Sequence, residues 1–163
     1  MIAVGIDVSK SKSTVAILSS SGEILAKPFD IQHIESELNG LISYLTSLDE
    51  DVKIVMEATG HYHLPILKQL LAANLFVCVM NPYLMKKYGD NEIRKGKTDK
   101  KDAMRMAVYA LEKSYALTPY SIVDQRYADL KFLSRQYNQR IATKVKCNVY
   151  LLNLLDEVMP GID

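Results

Sequence analysis

The strongest constraint on this chain is the way the spacing between its strand-like runs changes along the sequence. Ile2 to Val8, Ser13 to Leu18 and Glu23 to Phe29 are separated by a few residues each, the last two by the turn Ser19-Ser20-Ser21-Gly22. Connections this short join antiparallel neighbours, so the three runs predict a meander. The next two runs, Val52 to Glu57 and Phe76 to Met80, are reached through helix-length segments instead. Leu38, Leu41, Ile42 and Leu45 recur at helical spacing between about Ile34 and Leu48. A second helix is predicted from about Leu64 to Asn74, with Pro65 acceptable in its first turn. Strand–helix–strand units of this kind cross over right-handed to parallel neighbours. The fold class that follows is α/β, a mixed five-stranded sheet flanked by helices.

Beyond Met80 the pattern changes. Tyr83 to Lys97 is irregular and basic, a helix is predicted from Thr98-Asp99 to about Tyr115, and a longer one from about Val123 to Met159. Pro160-Gly161 ends it. Its apolar positions Tyr127, Leu130, Tyr137, Ile141, Val145, Leu152 and Leu155 form a narrow seam that needs a partner helix. Such a helix would be about 50 Å long, more than a small sheet can cover. Two parts are therefore expected: residues 1–117 as the α/β domain and 118–163 as a helical assembly segment that makes a homo-oligomer.

No window is long and uncharged enough for a membrane span, and the start of the sequence lacks the pattern of a secretory leader. Cys78 and Cys147 have no metal-ligand spacing and suit reduced, buried thiols in a cytoplasmic protein. The net charge is only +1, but it is unevenly spread. Eight basic residues (Lys86, Lys87, Arg94, Lys95, Lys97, Lys100, Lys101 and Arg105) face four acids between positions 86 and 105. A local excess of this kind can hold a phosphate backbone. On charge alone, a solvated surface loop is the simpler explanation.

The acids carry more information. Asp7 interrupts an apolar strand and Glu57 closes another, each where an unpartnered carboxylate would be costly. The plain alternative for each is a wet strand end. Asp99 and Asp102 are three apart and share a helix face, which also suits helix capping. Taken together, four carboxylates from two strands and one helix start would repel unless cations neutralise them. Mg2+ takes oxygen ligands, and two such ions could serve phosphodiester cleavage, with nearby lysines holding the backbone.

Four motifs in order then carry a resemblance. They are Gly5-Ile6-Asp7-Val8-Ser9-Lys10, Met56-Glu57-Ala58-Thr59-Gly60, Val79-Met80-Asn81-Pro82 and Lys97-Thr98-Asp99-Lys100-Lys101-Asp102-Ala103. Together they closely resemble the N-terminal domain of the DEDD transposases of insertion sequences, of the IS-one-ten type, to which the pilin-gene invertases are related. The resemblance implies a RuvC-like domain of the ribonuclease H fold. It also implies a metal-binding and catalytic tetrad of Asp7, Glu57, Asp99 and Asp102, loaded with two Mg2+ ions or with Mn2+ in their place. Members move or invert DNA by recombination, and many are directed by a structured guide RNA. The long final helix is similar to the family's coiled-coil segment. The family also has a C-terminal domain with a serine thought to attack DNA, and the sequence stops at Asp163 before any such domain. Metal binding, nucleic-acid binding and at most weak nicking are the expectation for this stretch.

Lys10, just past Asp7, joins Lys86, Lys87, Arg94, Lys95, Lys97, Lys100 and Lys101 as a candidate nucleic-acid contact. Tyr83 and Tyr88 could stack on bases, though packing is the commoner role. His61 and His63 are expected to serve the turn and helix start after Glu57. Two rival functions remain. A sugar kinase or actin-like ATPase also opens on a Gly-x-Asp strand, but it needs a glycine-rich phosphate turn where Val8-Ser9-Lys10 stands. A non-catalytic, dimeric nucleic-acid-binding module would keep the fold without the chemistry.

Overall fold

In the computed structural model, which describes residues 1–58, 60–89, 98–121 and 125–161, the apolar runs form one sheet. Its strands are β1 (Ile2–Val8), β2 (Lys12–Leu18), β3 (Ile24–Gln32), β4 (Val52–Glu57) and β5 (Phe76–Met80), in the spatial order β3-β2-β1-β4-β5. β1 pairs antiparallel with β2, and β2 antiparallel with β3. β1 pairs parallel with β4, and β4 parallel with β5. The change from short to long connections thus marks the change from antiparallel to parallel pairing.

β3 contains Pro28, as expected, and runs three residues past the expected Phe29, to Gln32. The register explains why proline is tolerated. Val15 pairs with Phe29 and Ile17 with Ala26, so β3 carries an extra residue at Lys27-Pro28. A proline on a bulged edge strand removes no ladder hydrogen bond.

Helices α1 (Glu35–Ser47) and α2 (His63–Ala72) cover one face of the sheet. Leu38, Leu41 and Leu45 of α1 and Ile66, Leu67 and Leu70 of α2 pack there against Ile2, Val4, Ile6, Val15, Ile17, Ile54 and Met56. The opposite face carries smaller side chains, Ala3, Ala16, Val55 and Cys78, and packs against α4 (Asp99–Glu112) through Ala103, Met106, Ala107 and Ala110. A further helix, α3 (Pro82–Gly89), lies where the sequence suggested irregular chain. It is anchored by the buried Met85, by the Tyr88 ring set edge-on to Tyr109 at 4.9 Å, and by a 2.7 Å hydrogen bond from the Tyr88 hydroxyl to Glu112. Tyr88 is thus a packing residue, while Tyr83 is exposed.

The chain divides into two compact units, Met1–Tyr120 and Ser121–Asp163. The second unit contains α5 (Gln125–Val158), 34 residues long. Its apolar positions Tyr127, Leu130, Tyr137, Ile141, Val145, Leu152 and Leu155 are exposed. Cys147 is exposed as well, contrary to the expectation of a buried thiol, while Cys78 is buried as expected. Burial also pushes the Cys78 thiol above its ordinary pKa. Among the described residues, no helix is long and apolar enough to cross a membrane.

Candidate metal and nucleic-acid site

Gly5 determines how closely α4 approaches β1. A Cβ at this position would overlap the carbonyl oxygen of Ala103 and the amide nitrogen of Ala107, and would lie 2.9 Å from the Met106 Cβ. The absence of a side chain is what lets the backbone of α4 touch the central strand. Ala103 directly follows Asp102, and Asp7 lies two residues beyond Gly5 on the same face of β1. Close helix–strand packing therefore carries Asp102 towards Asp7.

Glu57 belongs to the same face. It lies two residues beyond Val55, which packs in the α4-side core, and one step beyond the Ile6–Met56 pair of the parallel register. Asp7, one residue before the end of β1, and Glu57, the last residue of β4, thus lie side by side on neighbouring strands, both partly buried. On the other side of β1, Asp7 pairs with Thr14 and Thr14 with Asp30, so a row of polar residues crosses three strands.

Asp99 and Asp102 occupy the first turn of α4, but neither is its cap. Thr98 is the N-cap, with its hydroxyl accepting a hydrogen bond from the Lys101 amide at 3.3 Å. Capping therefore does not account for Asp99, although the helix dipole favours both acids. Asp102 accepts a hydrogen bond from Arg105 at 3.0 Å and its side chain is only 12% exposed. Asp99 is 58% exposed and lies 4.0 Å from the ammonium of Lys12.

Lys12 and Asp30 were not singled out in the sequence. Lys12 donates a 2.7 Å hydrogen bond to one oxygen of Asp30, and Thr14 donates one of 2.7 Å to the other. These bonds hold the Asp30 carboxyl below its ordinary pKa, and the Asp30 carboxylate holds the Lys12 ammonium above its own. Only the cross-strand register reveals this pairing, because the two residues are eighteen positions apart.

The donor set Asp7, Glu57, Asp99 and Asp102 consists entirely of carboxylate oxygens, which suits a hard ion such as Mg2+ and not a soft one. Among the described residues, no three His, Cys, Asp or Glu side chains lie close enough to hold one metal ion. Asp99 and Asp102 lie instead beside Lys12, at 4.0 Å, and Arg105, at 3.0 Å. His61 is exposed in the turn after Glu57, and His63 opens α2 and is buried, the turn and helix-start roles expected of them.

Of the candidate nucleic-acid contacts, Lys10 is exposed in the β1–β2 turn, and Lys100 and Lys101 are exposed on the first turn of α4. Lys100 lies near enough to Asp30 to stabilise its charge. These three lysines therefore border the end of the sheet that carries the acids. Lys86 and Lys87 are exposed at the end of α3, which is anchored beside the later turns of α4. Arg94, Lys95 and Lys97 lie outside the described residues.

A transposase family profile, of the DEDD class of insertion sequences, matches residues 4–160. No curated protein matches the chain. Among solved structures it is similar to Thermus thermophilus RuvC in complex with a Holliday junction substrate. That match has 11% identity and a TM-score of 0.53 and covers 74% of this chain and 99% of that one. A second Thermus thermophilus RuvC structure matches with 13% identity and a TM-score of 0.52, over 74% of this chain and 100% of that one. At such identities the likeness establishes a RuvC-like, ribonuclease H-type fold. A ROK hexokinase from Thermus thermophilus reaches a TM-score of only 0.33, with 15% identity over 50% of this chain and 35% of that one, and carries no argument for a kinase.

Proposed function

We propose, from the premise that the chain belongs to the DEDD transposase family, that its 1–117 region is a metal-dependent DNA strand-cleavage and strand-transfer domain. The observation that supports this reading is the close approach of Ala103 to Gly5, two residues before Asp7, on the helix whose first turn carries Asp99 and Asp102. Asp7, Glu57, Asp99 and Asp102 would hold the metal. Two Mg2+ ions, or Mn2+ in their place, would supply positive charge at the attacking and leaving oxygens of a phosphodiester when bound.

The chain's own residues divide the remaining work. Asp7 and Glu57 sit on paired strands and give the site a rigid floor. Asp99 and Asp102 ride on a helix start and can adjust their side chains. Lys10, Lys100 and Lys101 border the acids and would hold the substrate backbone by charge, with affinity that falls as salt rises. A basic rim that recognises phosphate serves DNA and a structured guide RNA alike. The seam of α5 would assemble copies of the chain as a coiled coil, consistent with a cytoplasmic recombination machine.

The test is Mn2+ binding by calorimetry, comparing the chain with Asp7→Asn and Asp102→Asn. Binding that disappears in both variants makes the four acids one site, and nicking of branched and duplex DNA should disappear with it. Equal binding by all three proteins refutes the site. The separation of the acids in the structure favours a second reading, a nucleic-acid-binding and assembly module without chemistry. Metal binding without any strand cleavage would support that alternative.

A further inference from the structure

We propose that Asp30 is a positioning residue that tethers Lys12 and thereby keeps the Asp99 carboxylate available to a divalent cation. The proposal rests on the reading of the four acids as a metal site. Both oxygens of Asp30 are engaged, one by Lys12 and one by Thr14, each at 2.7 Å, so its position on β3 is fixed. Lys12 points along the same face as Asp7, because Lys12 and Thr14 alternate on β2 and Thr14 pairs with Asp7.

Its ammonium lies 2.7 Å from Asp30 but 4.0 Å from Asp99, and among the described residues these are its two ion-pair partners. The lysine therefore sits at the reach of one metal-ligand candidate while bonded to a residue outside the tetrad. Without Asp30, the nearest carboxylate for that ammonium among the described residues is Asp99. Lysine is a compact charge on a flexible stem and would close the remaining gap. It would then occupy the oxygen that a divalent ion needs.

Lys12 by itself opposes a nearby cation, whereas Asp30 restrains it. The two residues form one ion pair, yet their removal should have opposite effects. Asp30→Asn should weaken Mn2+ binding by about fivefold at low salt, and Lys12→Met should tighten it by about twofold, since partly exposed charges are screened. Because Asp30 acts through Lys12, the double variant should bind like Lys12→Met and not at the product of the two single effects. Direct effects of the two charges on the ion would also have opposite signs but would multiply in the double variant, so the double variant is the deciding measurement. Both side chains are 39% exposed, and neither belongs to the core, so the fold survives either change.

The experiment is Mn2+ calorimetry on the chain, the two single variants and the double, with Asp7→Asn as the reference for an abolished site. Opposite shifts in the singles, with the double matching Lys12→Met, establish the tether. Shifts of the same sign, no shift, or a multiplicative double variant overturn it while leaving the tetrad intact. A parent chain that binds no Mn2+, or binds it as well with Asp7→Asn, removes the metal site itself and the tether with it.

Discussion

Replacing Gly5 by alanine tests whether backbone contact between α4 and β1 is what builds the site. The new Cβ would overlap two backbone atoms of α4, on Ala103 and Ala107, and crowd the Met106 Cβ at 2.9 Å. No side-chain rotation can relieve contacts with backbone, so the helix must move away from the sheet by roughly 1 Å or more. Overpacking of this kind costs about 1–3 kcal/mol, partly offset by about 0.5–1 kcal/mol because alanine loses less backbone freedom than glycine. The contact here involves the centre of a helix that buries Ala103, Met106, Ala107 and Ala110, which puts the net loss near the upper end, about 2 kcal/mol. For a unit the size of Met1–Tyr120, that lowers the melting temperature by roughly 8 °C. Differential scanning calorimetry measures this directly. Met106→Ala should not rescue the variant, because it leaves both backbone overlaps in place. Mn2+ affinity should fall further than the stability loss alone accounts for, since Asp102 moves with Ala103. A Gly5→Ala protein that melts within about 1 °C of the parent and binds metal equally well would refute the reasoning.

Two further expectations concern other parts of the molecule. Burial lowers the pKa of His33 from its ordinary 6.5, and its Nε2 lies 2.9 Å from the Ser13 hydroxyl. The unfolded chain therefore binds the proton more readily than the folded one. The contribution of His33 to stability is complete above pH 6.5 and is lost as pH falls through the lowered folded value. Urea titrations at pH 7.5 and 5.5 should show a smaller decrease for His33→Gln than for the parent, and an equal decrease would count against it. In α5, Ile141→Lys places a charge in the exposed apolar seam, and sedimentation should show a smaller assembly than the parent forms. An unchanged mass would mean that the seam does not join copies of the chain.

The architecture was legible because it depends on continuous apolar runs and on connection length, both one-dimensional properties. The bounds of β4 and β5 agree with the sequence, since Asp49-Glu50-Asp51 marks the start of one and Asn81-Pro82 the end of the other. α3 was missed because it buries only Met85 fully and adds the partly buried Tyr88, too little for a helical period to emerge among lysines and tyrosines. The end of β3 lies beyond the expected Phe29 because Asp30 and Gln32 break the apolar run, and only the pairing with β2 shows that the strand continues. The four acids stood out through their settings, two closing apolar strands and two sharing a helix face. Their neighbours did not. Lys12 and Asp30 matter through cross-strand geometry, and nothing in their local sequence separates them from ordinary surface charges. The role of Gly5 was likewise hidden, since a glycine that admits a helix looks the same as one that opens a turn.

Close packing of α4 on β1 also has a consequence for how the protein is made. The meander β1–β3 is complete by Gln32, but β1 finds its parallel partner only at Val52–Glu57 and its helical cover only at Asp99–Glu112. On a ribosome, the strip formed by Ala3, Gly5, Ala16 and Leu18 therefore emerges long before the helix that will cover it. Apart from Leu18 such a strip lacks bulky side chains, so it offers little to hold a wrong partner in the meantime, and nascent chains with exposed apolar surface are the ones that misassemble. The shallow groove that lets a helix backbone settle on the sheet is thus also a surface that can wait uncovered during synthesis.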